Sequence, residues 1–321
     1  MTNTFDFFVS VIIPVYNASN YIEKAVLSAL EQEETGEILL IDDGSNDGSV
    51  QLCENFANKY DKIFFFQHPD KKNHGISATR NIGIKNAKFN FIAFLDADDY
   101  YLPNRFKIAK QILSQNTEID GVYEAIEIEF SSVQDLEIHK KNNLRMNITM
   151  DEIFSPDKLF ENIEPIGNKG WFHLNGLTIR NHAFNITGLF DTRLSTSEDA
   201  LMWIKLAASC NLAPGRLEQN VAMKLTHNTN ITNNRDQFFS DQRMMFLYAY
   251  DWSKEKKLSI RHKELIIYAY LNHFYYYVAI SHSKSNKYIF RIFCWFQLLI
   301  RNPELIFSKL MLVYFFKIFT T

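Results

Sequence analysis

Short apolar runs alternate with amphipathic stretches through the first third of the chain. Phe8 to Ile13 predicts a buried strand, and Asn20 to Leu30 a helix with Ser19 or Asn20 as its cap. Glu37 to Ile41 predicts a second strand and Gly48 to Tyr60 a second helix. Ile63 to Phe66 and Ile76 to Ala87 repeat the unit, and Phe91 to Leu95 predicts a fourth strand. Pro103, a residue favoured in the first helical turn, opens a predicted helix running to about Ser114. Strand–helix alternation of this kind argues for an α/β fold, a mostly parallel sheet flanked by helices. In such sheets ligands sit at the carboxyl ends of the strands.

Further along, Ser131 to Asn147 is polar and reads as a loop or insertion. A helix near Asp151 to Asn162, a strand near Gly176 to Ile179, a helix from about Glu198 to Asn211 and a strand at Val221 to Thr226 follow. From Asp236 the pattern turns helical and aromatic, which divides the chain into residues 1–235 and a helical C-terminal region, 236–321. Hydrophobic residues make up 46% of the sequence and charged residues 22%, enough for a substantial core and against wholesale disorder. A formal net charge of −3 does not suit a nucleic-acid binder. Cys53, Cys210 and Cys294 are dispersed and fit no paired spacing, so a reduced, cytoplasmic setting is expected. The apolar run Phe7 to Tyr16 has no basic region before it and contains Pro14, unlike a signal peptide, and no uncharged segment has the length of a membrane span.

The residues that follow each strand carry the chemistry. Pro14-Val15-Tyr16-Asn17, after the first, is neither a dinucleotide-binding glycine turn nor a phosphate loop. The second strand runs into Asp42-Asp43-Gly44-Ser45-Asn46-Asp47-Gly48. Asp43 is a candidate acceptor for a base imide or ribose hydroxyls, while Asn46-Asp47-Gly48 reads as an ordinary turn. Asp96-Ala97-Asp98-Asp99, after the fourth strand, sets three carboxylates in four residues. They repel one another unless a cation compensates them, and a divalent ion with oxygen ligands would do so while binding a diphosphate. The other reading is an acidic helix cap leading into Tyr100 to Lys110. Within His74 to Gly83, Arg80 and Asn81 either position a nucleotide or hold the acidic loops. Ser197-Glu198-Asp199 reads as a helix cap or, with Asp199 as general base, as the group that deprotonates an acceptor. His227 is a metal or diphosphate ligand or a polar loop residue.

Five stretches together resemble the family 2 glycosyltransferases of the GT-A fold: Val9 to Leu30, Ile38 to Ser49, His74 to Gly83, Phe91 to Asp99 and Thr187 to Ala207. They stand in the family's order over about the first 230 residues. The resemblance implies an inverting reaction with Mg²⁺ or Mn²⁺ and a nucleotide-sugar donor, most commonly a uridine one. Asp43 would contact the base. Pro14, Tyr16 and Asn17 would line the nucleotide pocket, and Ser45, Arg80 and Asn81 are further candidates for nucleotide contact. Asp96 and Asp98 would serve ribose and metal, Asp99 would either share the metal or only cap the helix, His227 is a looser match as a further metal ligand, and Asp199 would be the base. The QxxRW signature of processive members is absent, which favours transfer of a single sugar. Glu198, and Trp171 and His173 in the loop Gly167 to Asn175, are candidates for acceptor contact.

Two rival readings predict different residues. A nucleotidyltransferase would carry a basic, glycine-rich loop where Pro14 to Asn17 stands, and a degenerate sugar-nucleotide-binding scaffold would have lost Asp98 or Asp199. The stretch Lys284 to Thr321 holds six Lys or Arg against one acid, Glu304, interleaved with aromatics such as Phe290, Phe293, Trp295 and Phe296. That composition suits an anionic membrane surface, and equally packing on the catalytic domain or a second subunit. The expected setting is the cytoplasm, peripheral on the inner face of the membrane, with a glycan or lipid-linked acceptor.

Overall fold

The structure is a computed structural model, and it describes residues 6–141, 145–227 and 235–281, with Phe296 alone beyond them. The basic, aromatic stretch from Lys284 otherwise lies outside the described residues, as does the segment that follows His227.

The first half alternates as the pattern predicts. It runs β1 (Val9–Val15), α1 (Ile22–Leu30), β2 (Thr35–Asp42), α2 (Ser49–Lys59), β3 (Ile63–Gln67), α3 (Ile76–Asn86) and β4 (Phe91–Phe94). Then come β5 (Tyr100–Tyr101), α4 (Lys107–Gln115), β6 (Gly121–Tyr123), β7 (Ile126–Phe130), α5 (Val133–Lys141), β8 (Asn147–Ile148) and α6 (Pro156–Asn162). A 3₁₀ turn (Leu174–Gly176) leads to β9 (Leu177–Arg180), α7 (Ala183–Thr187), α8 (Glu198–Ser209), β10 (Leu212–Pro214), β11 (Ala222–Thr226), α9 (Arg235–Glu255) and α10 (Ile260–Ser281).

Among the described residues, seven strands form the main sheet in the order β10-β6-β9-β4-β1-β2-β3. Every pairing in it is parallel except those of β9, which runs against β4 and β6. The fold is therefore α/β with a mostly parallel sheet flanked by helices. A smaller sheet, β5-β11-β7-β8, stands beside it. β1 lies between β2 and β4, so Val15, Asp42 and Phe94 end on one rim. Side chains alternate across a strand. Val9, Val11, Ile13 and Val15 accordingly enter one hydrophobic core and Ile12 the other.

Met245, Phe246, Ala249 and Tyr250 of α9 and Ile266, Ile267 and Leu271 of α10 belong to the same core as Ile12, Phe94 and Leu201. The helical region as far as Leu271 thus packs into the core of the α/β sheet. Among the described residues no helix is long and apolar enough to cross a membrane.

Two boundaries differ from the pattern. The helix expected to open at Pro103 begins at Lys107. Asn104 takes a left-handed φ of 61°, and the Arg105 N–H donates to Gln32 Oε1 at 2.9 Å, which commits these residues to a turn. The helix expected from Asp151 begins at Pro156, because Asp151 turns back to pair with Arg145. The polar stretch 131–147 carries α5 rather than loop alone. β6 and β7 escape the hydrophobic pattern because Glu124, Glu127 and Glu129 interrupt it, with Glu124 buried against Arg105.

Gly176 joins the 3₁₀ turn to β9, where a Cβ would stand 2.3 Å from the Glu124 carbonyl oxygen. That oxygen is backbone and cannot swing away. Gly176→Ala is therefore expected to destabilise by about 1–3 kcal/mol, as overpacked sites do, measured as a lowered urea midpoint at unchanged slope.

Candidate active site

The loops after β1 and β2 are stitched together at the rim. Asn17 takes a left-handed φ of 48°. Its N–H donates to Ser45 Oγ, and its Oδ1 accepts from the Asn46 N–H, each at 2.9 Å. Pro14 is buried beneath, while Tyr16 and Asn17 are exposed. Asp47 ties these loops to α2, accepting from the Ser19 N–H and from the Ser49 N–H and hydroxyl. Burial alone would raise its pKa, but these bonds take it down to about 2. Asp43 reaches across to α3, where it accepts from the His74 N–H at 2.7 Å and the Gly75 N–H at 3.0 Å, with His68 Nε2 3.2 Å away. Gly75 has φ 86°, a conformation that favours glycine, and it brings the start of α3 to the rim.

The acidic loop does not cap a helix, since Tyr100 and Tyr101 form β5. Asp99 is 2% exposed and fully engaged: it accepts from the Leu225 N–H at 2.7 Å and from Asn175 Nδ2 at 2.6 Å. Asn175 Oδ1 in turn accepts from the Asp96 N–H at 3.3 Å, so one buried amide holds both ends of the loop. Asp98 Oδ2 lies 3.0 Å from His227 Nε2, and the His227 ring stacks on Tyr21 at 4.9 Å. Ligand atoms of Asp96, Asp99 and His173 lie within 4.8 Å of one another.

The electrostatics of this loop suit a cation. Burial and then Asp96 raise the Asp98 pKa, and burial with both neighbouring carboxylates raises that of Asp99 well above the ordinary range. Burial also opposes ionisation of Asp96, yet Arg80, together with His173 and Lys224, outweighs it and the net shift is downward. His173 is held neutral, its pKa pushed to about 3 by burial and by Lys224, whose Nζ is 3.3 Å from its Nε2. A neutral imidazole and a set of undercompensated carboxylates are the donors a divalent ion takes.

Arg80 connects this loop to the other candidate group. It is 3% exposed. Its Nη2 lies 2.8 Å from Asp96 Oδ1 and its Nη1 2.8 Å from Glu198 Oε1. Burial works against the guanidinium charge, but Asp96, Glu198 and Asp199 more than restore it. Asp199 follows in the first turn of α8, its Oδ1 accepting from the Ala200 N–H at 2.7 Å. Burial and the Asp199 charge push Glu198 up to about 7. Burial also raises Asp199, against the pull of Arg80 and Lys224.

Asp96, Asp98, Asp99, His227, Arg80, Glu198 and Asp199 are thereby linked through direct contacts or charge interactions. Asn81 is used otherwise: its amide donates to the Phe190 carbonyl and accepts from the Phe190 N–H, each at 2.9 Å, and so secures the segment before α8. Trp171 packs between the two hydrophobic cores, and His173 is buried beside Lys224. Asn175, Lys224, Tyr21 and His68 do not stand out in the sequence. A separate open cleft of about 930 Å³ is lined by Arg145, Met150, Ile153, Arg216 and Leu217 and shares none of these residues.

A family model described as "Glycosyl transferase family 2" matches residues 10–164, which contain the rim loops, Arg80 and the acidic loop. The chain belongs to glycosyl transferase family 2. This family 2 chain is 34% identical over 222 residues to an uncharacterized glycosyltransferase of Rickettsia felis, a match covering 67% of this chain and 33% of that protein. It is 31% identical over 208 residues to the minor teichoic acid biosynthesis protein GgaA of Bacillus subtilis, covering 61% of this chain and 42% of GgaA. The chain thus spans less than half the length of either relative. The structure of S. aureus TarS residues 1–349 in complex with UDP-GlcNAc superposes with a TM-score of 0.64 at 19% identity, covering 88% of this chain and 78% of that one. The likeness is one of fold.

Proposed function

We propose that this chain is an inverting, metal-dependent glycosyltransferase that moves a single sugar from a UDP-sugar to an acceptor hydroxyl. One observation carries the reading: Arg80 joins the acidic loop to the first turn of α8, so the carboxylates after β4 and the Glu198–Asp199 pair share one locale. Asp43 and the loops of Tyr16, Asn17 and Ser45 take the nucleoside. Asp98 and His227 hold Mg²⁺ or Mn²⁺, with Asp96 on the ribose side and Asp99 bracing the loop through Leu225 and Asn175. When bound, the ion neutralises charge on the departing nucleoside diphosphate. Asp199 removes the acceptor proton as the hydroxyl attacks the anomeric carbon from the opposite face. Glu198, fixed to Arg80, shapes the acceptor side.

The uridine donor is supported by the UDP-GlcNAc bound to TarS, and a role in bacterial surface polysaccharide or glycolipid synthesis by the name of GgaA. The basic, aromatic tail supports a location on the inner face of the cytoplasmic membrane, where a lipid-linked acceptor would be found. Flotation of the full chain with anionic liposomes, lost when residues 284–321 are deleted, is the expected result there.

Screening nucleotide sugars for release of nucleoside diphosphate tests the activity. Release is expected only with Mg²⁺ or Mn²⁺ and an acceptor present, and metal-independent release would contradict the reading. Asp98→Ala is expected to remove most of the metal-dependent part of UDP affinity, measured by calorimetry with and without Mn²⁺. An unchanged metal dependence would take Asp98 out of the ligand set.

A further inference from the structure

We infer that Asp241, on α9, is a positioning residue that sets the Asp199 carboxylate for transfer, an inference that rests on the reading of Asp199 as base. The start of α8 is not fixed by its own cap. Ser197, at the cap position, makes no side-chain capping bond, and its hydroxyl has no partner among the described residues. It also takes a φ of 63°, where a serine is rarely found and where the surrounding structure must hold it.

Asp241 supplies the hold. Its Oδ2 accepts from the Ser195 N–H at 3.0 Å, the Thr196 N–H at 2.8 Å and the Thr196 hydroxyl at 3.2 Å. Gln237 Nε2 donates to Oδ1 at 2.8 Å, and the residue is 5% exposed. Hydrogen bonds to a carboxylate are roughly twice as strong as neutral ones. Two of these go to backbone, so they fix the path of the chain entering Ser197 and not merely a rotamer.

α9 is a firm base for these bonds. Phe246 and Tyr250 are buried in the main core, and Trp252 Nε1 donates to the Thr187 carbonyl at 3.0 Å. The contacts therefore run from the core through α9 and Asp241 to Ser195 and Thr196, and over Ser197 to Glu198 and Asp199. A displacement of about 1 Å at a reacting group costs about 100-fold in rate, so a loop pinned this way governs turnover more than donor affinity.

The test uses the full chain with the donor and acceptor that support wild-type turnover. Asp241→Asn keeps the shape and removes the charge, and Thr196→Val removes only the hydroxyl donor. Turnover is expressed per folded molecule, with the folded fraction taken from the unfolding transition. Asp241→Asn is expected to lower kcat about 10- to 100-fold and Thr196→Val a few-fold, both leaving the donor KM unchanged. Asp241→Glu, which keeps the charge, is expected to recover part of the loss. Wild-type kcat per folded molecule in both variants, with only melting temperature lowered, would assign Asp241 an anchoring role and overturn the inference. Should Asp241→Asn not fold, unchanged kcat in Thr196→Val overturns it alone. Asp199→Asn assayed alongside separates the two claims. Wild-type transfer in that variant removes the base and this inference together. An inactive Asp199→Asn beside fully active Asp241→Asn and Thr196→Val removes this inference only.

Discussion

Replacing Asp199 by asparagine is expected to abolish transfer while leaving donor binding intact. The amide keeps the volume and can still accept from the Ala200 N–H, so the first turn of α8 survives. It cannot take a proton from the acceptor. Loss of a positioned base costs about 10²–10⁴-fold, and the deficit should fall on kcat with donor affinity unchanged. The pH profile carries a second expectation. Glu198 is raised to about 7 by burial and the Asp199 charge, and Asp199 is itself raised by burial. The two carboxyls titrate as a pair. A base must be ionised to act, so kcat/KM in the wild-type chain should fall with pH at a point above where an ordinary aspartate titrates. A rate that falls only in the ordinary aspartate range would contradict this, as would full transfer by Asp199→Asn.

Arg80→Met is expected to have the largest effect on stability. Methionine fills much of the space but leaves Asp96 and Glu198 without the cation that now lies 2.8 Å from each. Removing one partner of a buried pair costs about 3–5 kcal/mol, because the remaining charge is stranded. The sign of its pH dependence follows from Glu198. Without Arg80 its pKa rises further, so protonation relieves the stranded charge at low pH. The deficit relative to wild type should therefore grow as pH rises from 6 to 8. Lysine cannot replace the fork, since a single ammonium does not bind both carboxylates in two directions. Urea unfolding across that pH range, together with a transfer assay, checks both parts. Equal stability of Arg80→Met and wild type would mean that Arg80 does not bridge the two loops.

Much of the α/β frame is legible in the sequence because its strands are continuous apolar runs bounded by turn residues. Val9 to Val15 and Phe91 to Phe94 are buried on both faces, and nothing polar breaks their pattern except Ser10, which is satisfied by Glu37. β6 and β7 are illegible for the opposite reason. Glu124 sits in the middle of the segment, and its 0% exposure depends on Arg105 and Arg216, which come from distant parts of the chain. Pro103 misleads as a helix signal because the Gln32–Arg105 bond is a tertiary contact that local propensity does not contain.

The acidic residues of the candidate site can be read from motif spacing, since carboxylates at strand ends lie on a known rim. Their supports cannot. Asn175, Lys224 and Asp241 are ordinary residues in sequence, and only folding brings them to Asp99, His173 and Thr196. The same holds for Arg80. The motif marks it, but its choice between nucleotide and acidic loops is made by the positions of Asp96 and Glu198, which are 16 and 118 residues away.

The central claim is that the carboxylates after β4 hold a divalent ion against the diphosphate of a nucleotide. Crystals grown with Mn²⁺ and UDP, measured at a wavelength where manganese scatters anomalously, test it most directly. The expected result is a single anomalous peak in contact with the Asp98 carboxylate and the His227 imidazole, adjoining both phosphates. Nucleotide bound at the rim with no peak at that loop, or a peak held by other side chains, would contradict the claim.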